Sequence, residues 1–264
     1  MNFGRYCKVA IDTLSLDSDM LTHEFEVPFD NDTEPNESTI SIYNLKKDTI
    51  NRIKQTKKLV LSAGYKGDIG TILNGHVSTV ITDASGADRA TKITVLDSTP
   101  LDNAKTVSKT FKANIKADQI IKDLAALLKL NLHVLNLPNN KTYKTGFTAE
   151  GEIMNIIRDV ARSSGASFYI NKQKIVIRPI HVGDPVQFIL KPETGLIGSP
   201  EYFEDELNGQ RFKGYKIRCQ LQPRITTASI IRVESKVFKG RLYVRNGVHR
   251  WSNSDFITEM DAIL

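Results

Sequence analysis

Cysteine is nearly missing from this chain: 264 residues hold only Cys7 and Cys219, far apart and without a CxxC spacing. This argues against a disulfide framework or a cysteine-rich zinc site and leaves both thiols to act as small buried apolar groups. Tryptophan is reduced to Trp251, too little for an aromatic sugar-binding platform. No apolar run reaches the ~18 residues of a membrane span. The start, Met1-Asn2-Phe3-Gly4-Arg5, lacks the apolar stretch of a secretory signal, so no leader is expected.

Catalytic signatures are missing too. There is no GxxxxGK[ST], GxSxG, HExxH or strand-linked GxGxxG. The five histidines, His23, His76, His133, His181 and His249, show no metal-ligand spacing. Glu204 and Glu206, flanking Asp205, are the nearest approach to a paired-carboxylate site, but adjacent acids beside a loop read better as a solvated turn. Turn and cap roles account for Asp97 and Asp102. No enzyme activity, cofactor or metal is expected.

What is present is mostly β pattern. The composition, 40% hydrophobic and 25% charged with a net charge of +6, suits a globular chain of one to three domains and permits an acidic partner. From Arg5 to about Thr99, strand follows strand. Lys8 to Leu14 alternates, as do Phe25-Glu26-Val27 and Thr39 to Tyr43. Asp30 to Ser38 is turn chemistry. A short helix is expected over Thr49 to Lys54, capped by Asp48. Lys58 to Gly64 reads as a strand, Tyr65 to Gly70 as a turn and Thr71 to Val77 as a strand. Asp83 to Asp88 then closes a hairpin onto Lys92 to Asp97. Strands at about ten-residue spacing predict a small sandwich or barrel.

The middle is different. Ile120-Ile121-Lys122-Asp123-Leu124-Ala125 returns as Ile156-Ile157-Arg158-Asp159-Val160-Ala161, and Leu132-His133-Val134 returns as Phe168-Tyr169-Ile170. Each copy is an amphipathic helix feeding a strand, with Ile120, Ile121, Leu124, Ala125, Leu127 and Leu128 on one face of the first. Ile153, Ile156, Ile157, Val160 and Ala161 form the face of the second. Gly165 suits the end of the second helix, and Ser167 to Pro179 reads as a hairpin turning at Asn171-Lys172-Gln173. Two copies are too few for a solenoid but enough for a small α+β module.

His181 to Pro200 reads as a Gly/Pro-rich connector with one internal strand, Val186 to Leu190. Strands resume at Gly214 to Leu221, Ser229 to Ser235, Gly240 to Arg245 and Gly247 to Trp251. The fold class is therefore α+β, mainly β: a β domain over residues 1–110, an inserted α+β module over 111–180 and a second β domain of barrel size over 181–264. Between Asn208 and Arg250 eleven basic residues face a single acid, Glu234. Lys216, Arg218, Arg232, Arg241 and Arg245 alternate with apolar neighbours and so line strand faces. They are candidates for meeting an acidic protein or passing nucleic acid, without base-specific readout. Arg218 is expected to be solvated, so its charge reversal should spare the fold.

The order of segments resembles the baseplate hub, or tail hub, proteins of tailed bacteriophages, including the late-control type. Three passages carry it. The first is Thr39-Ile40-Ser41-Ile42-Tyr43-Asn44-Leu45 with Leu61-Ser62-Ala63-Gly64-Tyr65 and Asn74-Gly75-His76-Val77. The second is the duplicated unit ending in Ile175-Val176-Ile177-Arg178-Pro179. The third is Thr194 to Pro200, then Leu221-Gln222-Pro223-Arg224-Ile225, Tyr243-Val244-Arg245 and Val248-His249. The resemblance implies a structural virion protein assembled in the host cytoplasm, with two tail-tube-like β-barrels per chain. It implies a homotrimeric, pseudo-sixfold ring joining the tail tube, or a distal tail protein, to a central spike or fibre. Tape measure and baseplate wedge proteins are further implied neighbours, with DNA met only in passage. Some relatives carry a fused lysozyme or a long extension; this sequence shows neither, so wall degradation is not expected. The duplication also fits a cell-wall or carbohydrate-binding module, against which the single tryptophan speaks.

Overall fold

The computed structural model describes residues 4–31, 35–56, 58–83, 88–97, 105–128, 131–171, 174–207 and 210–264. Alternation in sequence becomes alternation in burial. In the strand Arg5–Ile11, Cys7, Val9 and Ile11 are buried and Lys8 is exposed, the signature of a sheet with one face on a core. The expected strand Lys8 to Leu14 is broken, because Asp12 adopts a left-handed φ of 52°, which short polar side chains tolerate. Leu14–Asp17 then folds back onto Arg5–Ile11. The turn expected over Tyr65 to Gly70 contracts to Lys66 and Gly67, since Tyr65 already pairs with Asp68, and the next strand runs over Asp68–Asp83. Helix α1 spans Lys47–Gln55, with Lys46 at its N-cap and no side-chain cap bond. Asp48 lies inside the first turn, where its charge complements the helix dipole. The tips expected at Lys172–Gln173 and between Asp83 and Asp88 lie outside the described residues, as does Asp102.

Thirteen strands share one hydrogen-bonded sheet. Its main path runs Leu196–Leu207, Gln210–Gln220, Phe256–Ile263, Lys239–Trp251, His23–Phe29, Glu37–Tyr43, Ala90–Leu96, Asp68–Asp83, Lys58–Tyr65, Arg5–Ile11 and Leu14–Asp17. The strand Lys239–Trp251 is the junction. One edge pairs with Phe256–Ile263; the other pairs first with Ser229–Glu234 and then, from Gly247 to Trp251, with Phe29 back to Phe25. A Cβ on Gly247 would lie 2.4 Å from the Glu259 carbonyl and 2.6 Å from the Phe29 ring, so only glycine fits. Two β domains separated by the inserted module were expected; hydrogen bonding runs from one β region to the other through Gly247–Trp251 and Phe25–Phe29.

The apolar side chains nonetheless divide. One core gathers Val9, Phe25, Ile40, Leu61 and Ile93 with Leu221 and Phe256. Another gathers Ile217, Cys219, Val233, Leu242, Val244 and Met260. The Gly/Pro-rich stretch after His181 proves to be structured: a strand at Asp184–Leu190, a short 3-10 turn at Pro192–Thr194 and the start of Leu196–Leu207. Acidic residues hid that last strand, because they lack β propensity and occupy an edge.

The middle of the chain has its own core. Helices α2, Ala117–Leu128, and α3, Ile153–Ser163, bury Ile120, Ile121, Leu124, Ile157 and Val160 against Ile175 and Ile177. Leu127 departs from the expected face and is exposed. Gly165 follows α3 with φ of 77°, as a left-handed helix end requires. The two duplicated strands, Asn131–Leu135 and Ser167–Asn171, flank Lys174–Arg178 on opposite sides. Thr106–Phe111 pairs with Phe147–Glu152, extending this module upstream of residue 111. It docks through Tyr169 and Val176 on Ala228. Buried Arg178 anchors the contact, donating to both carboxylate oxygens of Asp184 at 3.1 and 2.8 Å and to the Tyr169 hydroxyl at 3.2 Å.

Candidate interaction surface

The basic strand face is built as the alternation requires, but it is not a free cationic surface. On Gln210–Gln220, Ile217 and Cys219 point into the core while Lys216 and Arg218 point out. Arg218 reaches Asp255 at 2.9 Å and Glu259 at 3.1 Å. Arg232 pairs with Glu234 at 3.1 Å and sits across from Arg241. Arg245 is mostly buried: it reaches Asp205 at 3.1 Å and lies over the Phe212 ring at 5.3 Å. Its Nε and Nη1 are buried with no hydrogen-bond partner. Lys216 and Arg241 are exposed and form no ion pair among the described residues.

The acids missing from the local sequence arrive from elsewhere in the sheet. Glu204 pairs with Lys213 and Glu206 with Arg211 across the hairpin, and Arg250 bridges Glu26 and Glu259. Glu204, Asp205 and Glu206 therefore lie on a strand, not on the solvated turn expected of them. The Tyr202 hydroxyl and then Lys213 hold the Glu204 carboxyl below its usual range. A general acid needs the opposite shift.

The denser unneutralised run lies where the sequence reading saw only a short helix. Lys46, Lys47, Lys54 and Lys58 are exposed on and beside α1 and form no ion pair among the described residues. Charge density was the available signal: residues 46–58 hold six basic side chains and one acid, Asp48.

Other titratable groups are structural. Cys7 and Cys219 are buried and free, their thiols pushed up to about 12 by desolvation. Burial pulls His23 and His76 below the ordinary imidazole range, with Lys58 adding to the shift at His76. Among the described residues no group of three or more His, Cys, Asp or Glu is placed to hold a metal ion, and no helix is long and apolar enough to cross a membrane. A groove of about 1030 Å³ opens where the three regions meet. It mixes Arg158, Arg162 and Arg245 with Asp30, Glu259 and Asp261, so its charge selects no ligand class.

The β-rich architecture is that of phage tail proteins. The 43 kDa tail protein of prophage MuSo2 from Shewanella oneidensis superposes with a TM-score of 0.68 at 7% identity, covering 98% of this chain and 96% of its own. A tail protein from Neisseria meningitidis MC58 gives 0.66 at 10% identity, with 99% and 97% covered. The E. coli c3393 protein gives 0.60 at 13% identity, with 97% and 76% covered; it is a type VI secretion component described as structurally similar to the T4 tail proteins gp27 and gp5. No curated protein sequence matches the chain. Residues 36–239 match the family model described as baseplate hub gp41, and the chain belongs to that family.

Proposed function

We propose that this chain is the structural hub of a phage tail baseplate, working without catalysis. Three copies form a pseudo-sixfold ring that joins the tail tube, or a distal tail protein, to a central spike or fibre. The observation that carries the reading is the pair of apolar β cores joined through the shared strand Lys239–Trp251. In this reading each core supports one tube-like barrel, the first ending before Thr106, where the middle module begins, the second within residues 181–264, and two barrels in each of three chains occupy six positions around a channel. A chain that repeats a β unit twice converts threefold into sixfold contacts without needing six copies.

The middle module, with its own core, packs outside the ring, where it meets neighbouring baseplate proteins such as wedge components. Tape measure protein and DNA pass through the channel. Of the five strand-face candidates, Lys216 and Arg241 carry the unneutralised charge left to face the channel or an acidic neighbour. The chain acts in the virion, after assembly in the host cytoplasm. The mass of the assembled species tests the reading, by sedimentation of the chain alone and with tail neighbours. Three copies per ring are expected; a strict monomer in solution and in particles overturns it.

A further inference from the structure

The chain presents a cationic helix side and, elsewhere, an acidic sheet edge. Helix α1 packs on Asp68–Asp83, with Arg52 donating to Thr13 Oγ1 at 3.0 Å in the turn before Leu14–Asp17. Ile50 and Ile53 fix the apolar side of α1 in the core. Its outer side presents Lys46, Lys47 and Lys54, with Lys58 just beyond, all exposed and without an ion pair among the described residues. Asp48 is the one acid on α1.

At one end of the sheet, Leu196–Leu207 pairs with Gln210–Gln220 on one edge and, among the described residues, has no partner on the other. It exposes Glu201, Glu204, Asp205 and Glu206, together with the apolar Ile197 and Tyr202. The basic partners of Glu204 and Glu206 sit on the inner strand, so the outermost column of charge is acidic. An open strand edge with exposed apolar residues is a pairing site unless something covers it.

We propose that these two surfaces meet between copies: the cationic side of α1 in one chain docks against the acidic edge strand Leu196–Leu207 of the next. The inference rests on the ring reading above and names its contact. Both halves of the contact belong to this chain, and unlike surfaces of identical chains meet head to tail, which closes into a ring when the rotation fits. Nucleic acid is the weaker occupant. The helix Lys47–Gln55 carries no aromatic residue for base stacking, whereas a complementary acidic strand stands ready on the neighbouring copy.

The test is charge exchange, read by sedimentation at low salt with circular dichroism as the control for folding. Lys47→Glu/Lys54→Glu and, separately, Glu204→Lys/Glu206→Lys each weaken self-association by about tenfold, two exposed ion pairs' worth. Combining the four substitutions in one chain recovers most of the loss, because every contact again joins opposite signs. A ring indifferent to both reversals, or a quadruple variant weaker than either double, overturns the contact and leaves the ring reading standing. A wild-type chain that never associates, in solution or in particles, removes both. If the helix reversal spares the ring but abolishes retention of a single-stranded DNA oligonucleotide, α1 belongs to nucleic acid and the proposal fails.

Discussion

The two β regions solve one problem differently. Among the described residues the N-terminal core holds 21 buried side chains, two of them, Leu221 and Phe256, from the C-terminal region, and the C-terminal core holds 11. The smaller core is accompanied by a lattice of charge on the outer face, in which Arg218, Arg232, Arg245 and Arg250 all bond carboxylates. Apolar burial is not weakened by salt screening, whereas exposed ion pairs weaken as the Debye length shrinks. The two halves of one continuous sheet therefore respond to different conditions, and substitutions placed in each separate the two modes.

The largest effect is expected in the N-terminal core. Ile93 is fully buried on Ala90–Leu96, and Ile93→Ala should cost about 2–5 kcal/mol, the range for truncating a core aliphatic. Urea melts at low and high salt should give the same loss; a loss that shrinks with salt contradicts the assignment. At the junction, Gly247→Val forces a side chain into the Glu259 carbonyl and the Phe29 ring. Overpacking of this kind costs about 1–3 kcal/mol, and hydrogen exchange should quicken on both sides of Gly247–Trp251 together. Exchange quickened on one side only would mean that the two β regions fold independently.

A middle-sized effect belongs to the module's anchor. The Arg178 guanidinium holds the Asp184 carboxyl below its usual range. A depressed folded-state value adds stability that is complete above the unfolded value, about 3.9, and is lost as pH falls through the folded one. Docking of the module should therefore hold at neutral pH and loosen below about pH 4, with Asp184→Asn removing that part of the acid sensitivity. An acid transition unchanged in Asp184→Asn would contradict it. On the outer face, Arg250→Ala removes bonds to Glu26 and Glu259. At one-third exposure the loss is about 1 kcal/mol or less and should fade with added salt.

The sequence made the module legible and the charge lattice illegible, for one reason. The duplicated helices bury residues three and four apart, so Ile120, Ile121 and Leu124 announce their shared face; only Leu127, at the margin of that stripe, departed. Strand pairing is non-local. Arg250 finds Glu26, 224 residues away, and no local count of acids between Asn208 and Arg250 registers it. The junction escaped for the same reason, since nothing near Gly247 announces that Phe25 to Phe29 will lie beside it. The cationic run on α1 was legible in the composition of residues 46–58, but cap and helix periodicity, which place the helix over Thr49 to Lys54, carry no information on its surface charge.

The smallest effect is the sharpest test of the lattice, because it turns on sign. Arg218→Glu was expected to spare the fold, on a solvated face, and to weaken assembly if that face meets an acidic partner. With Asp255 and Glu259 bonded to Arg218, the substitution instead brings a third carboxylate beside two, and should destabilise by about 1 kcal/mol, discounted for its exposure. Arg241→Glu is the same chemical change on a neighbouring strand. There the residue opposite is Arg232, and like charges directly across a strand pair are unfavourable. Replacing Arg241 by an acid turns that repulsion into attraction and should stabilise by about 0.2–1 kcal/mol, more at low salt. Paired thermal melts of the two variants read the difference directly. Opposite signs support charge set by cross-strand neighbours; equal shifts in one direction would mean that the outer face is uniformly solvated and that the ion pairs contribute nothing measurable.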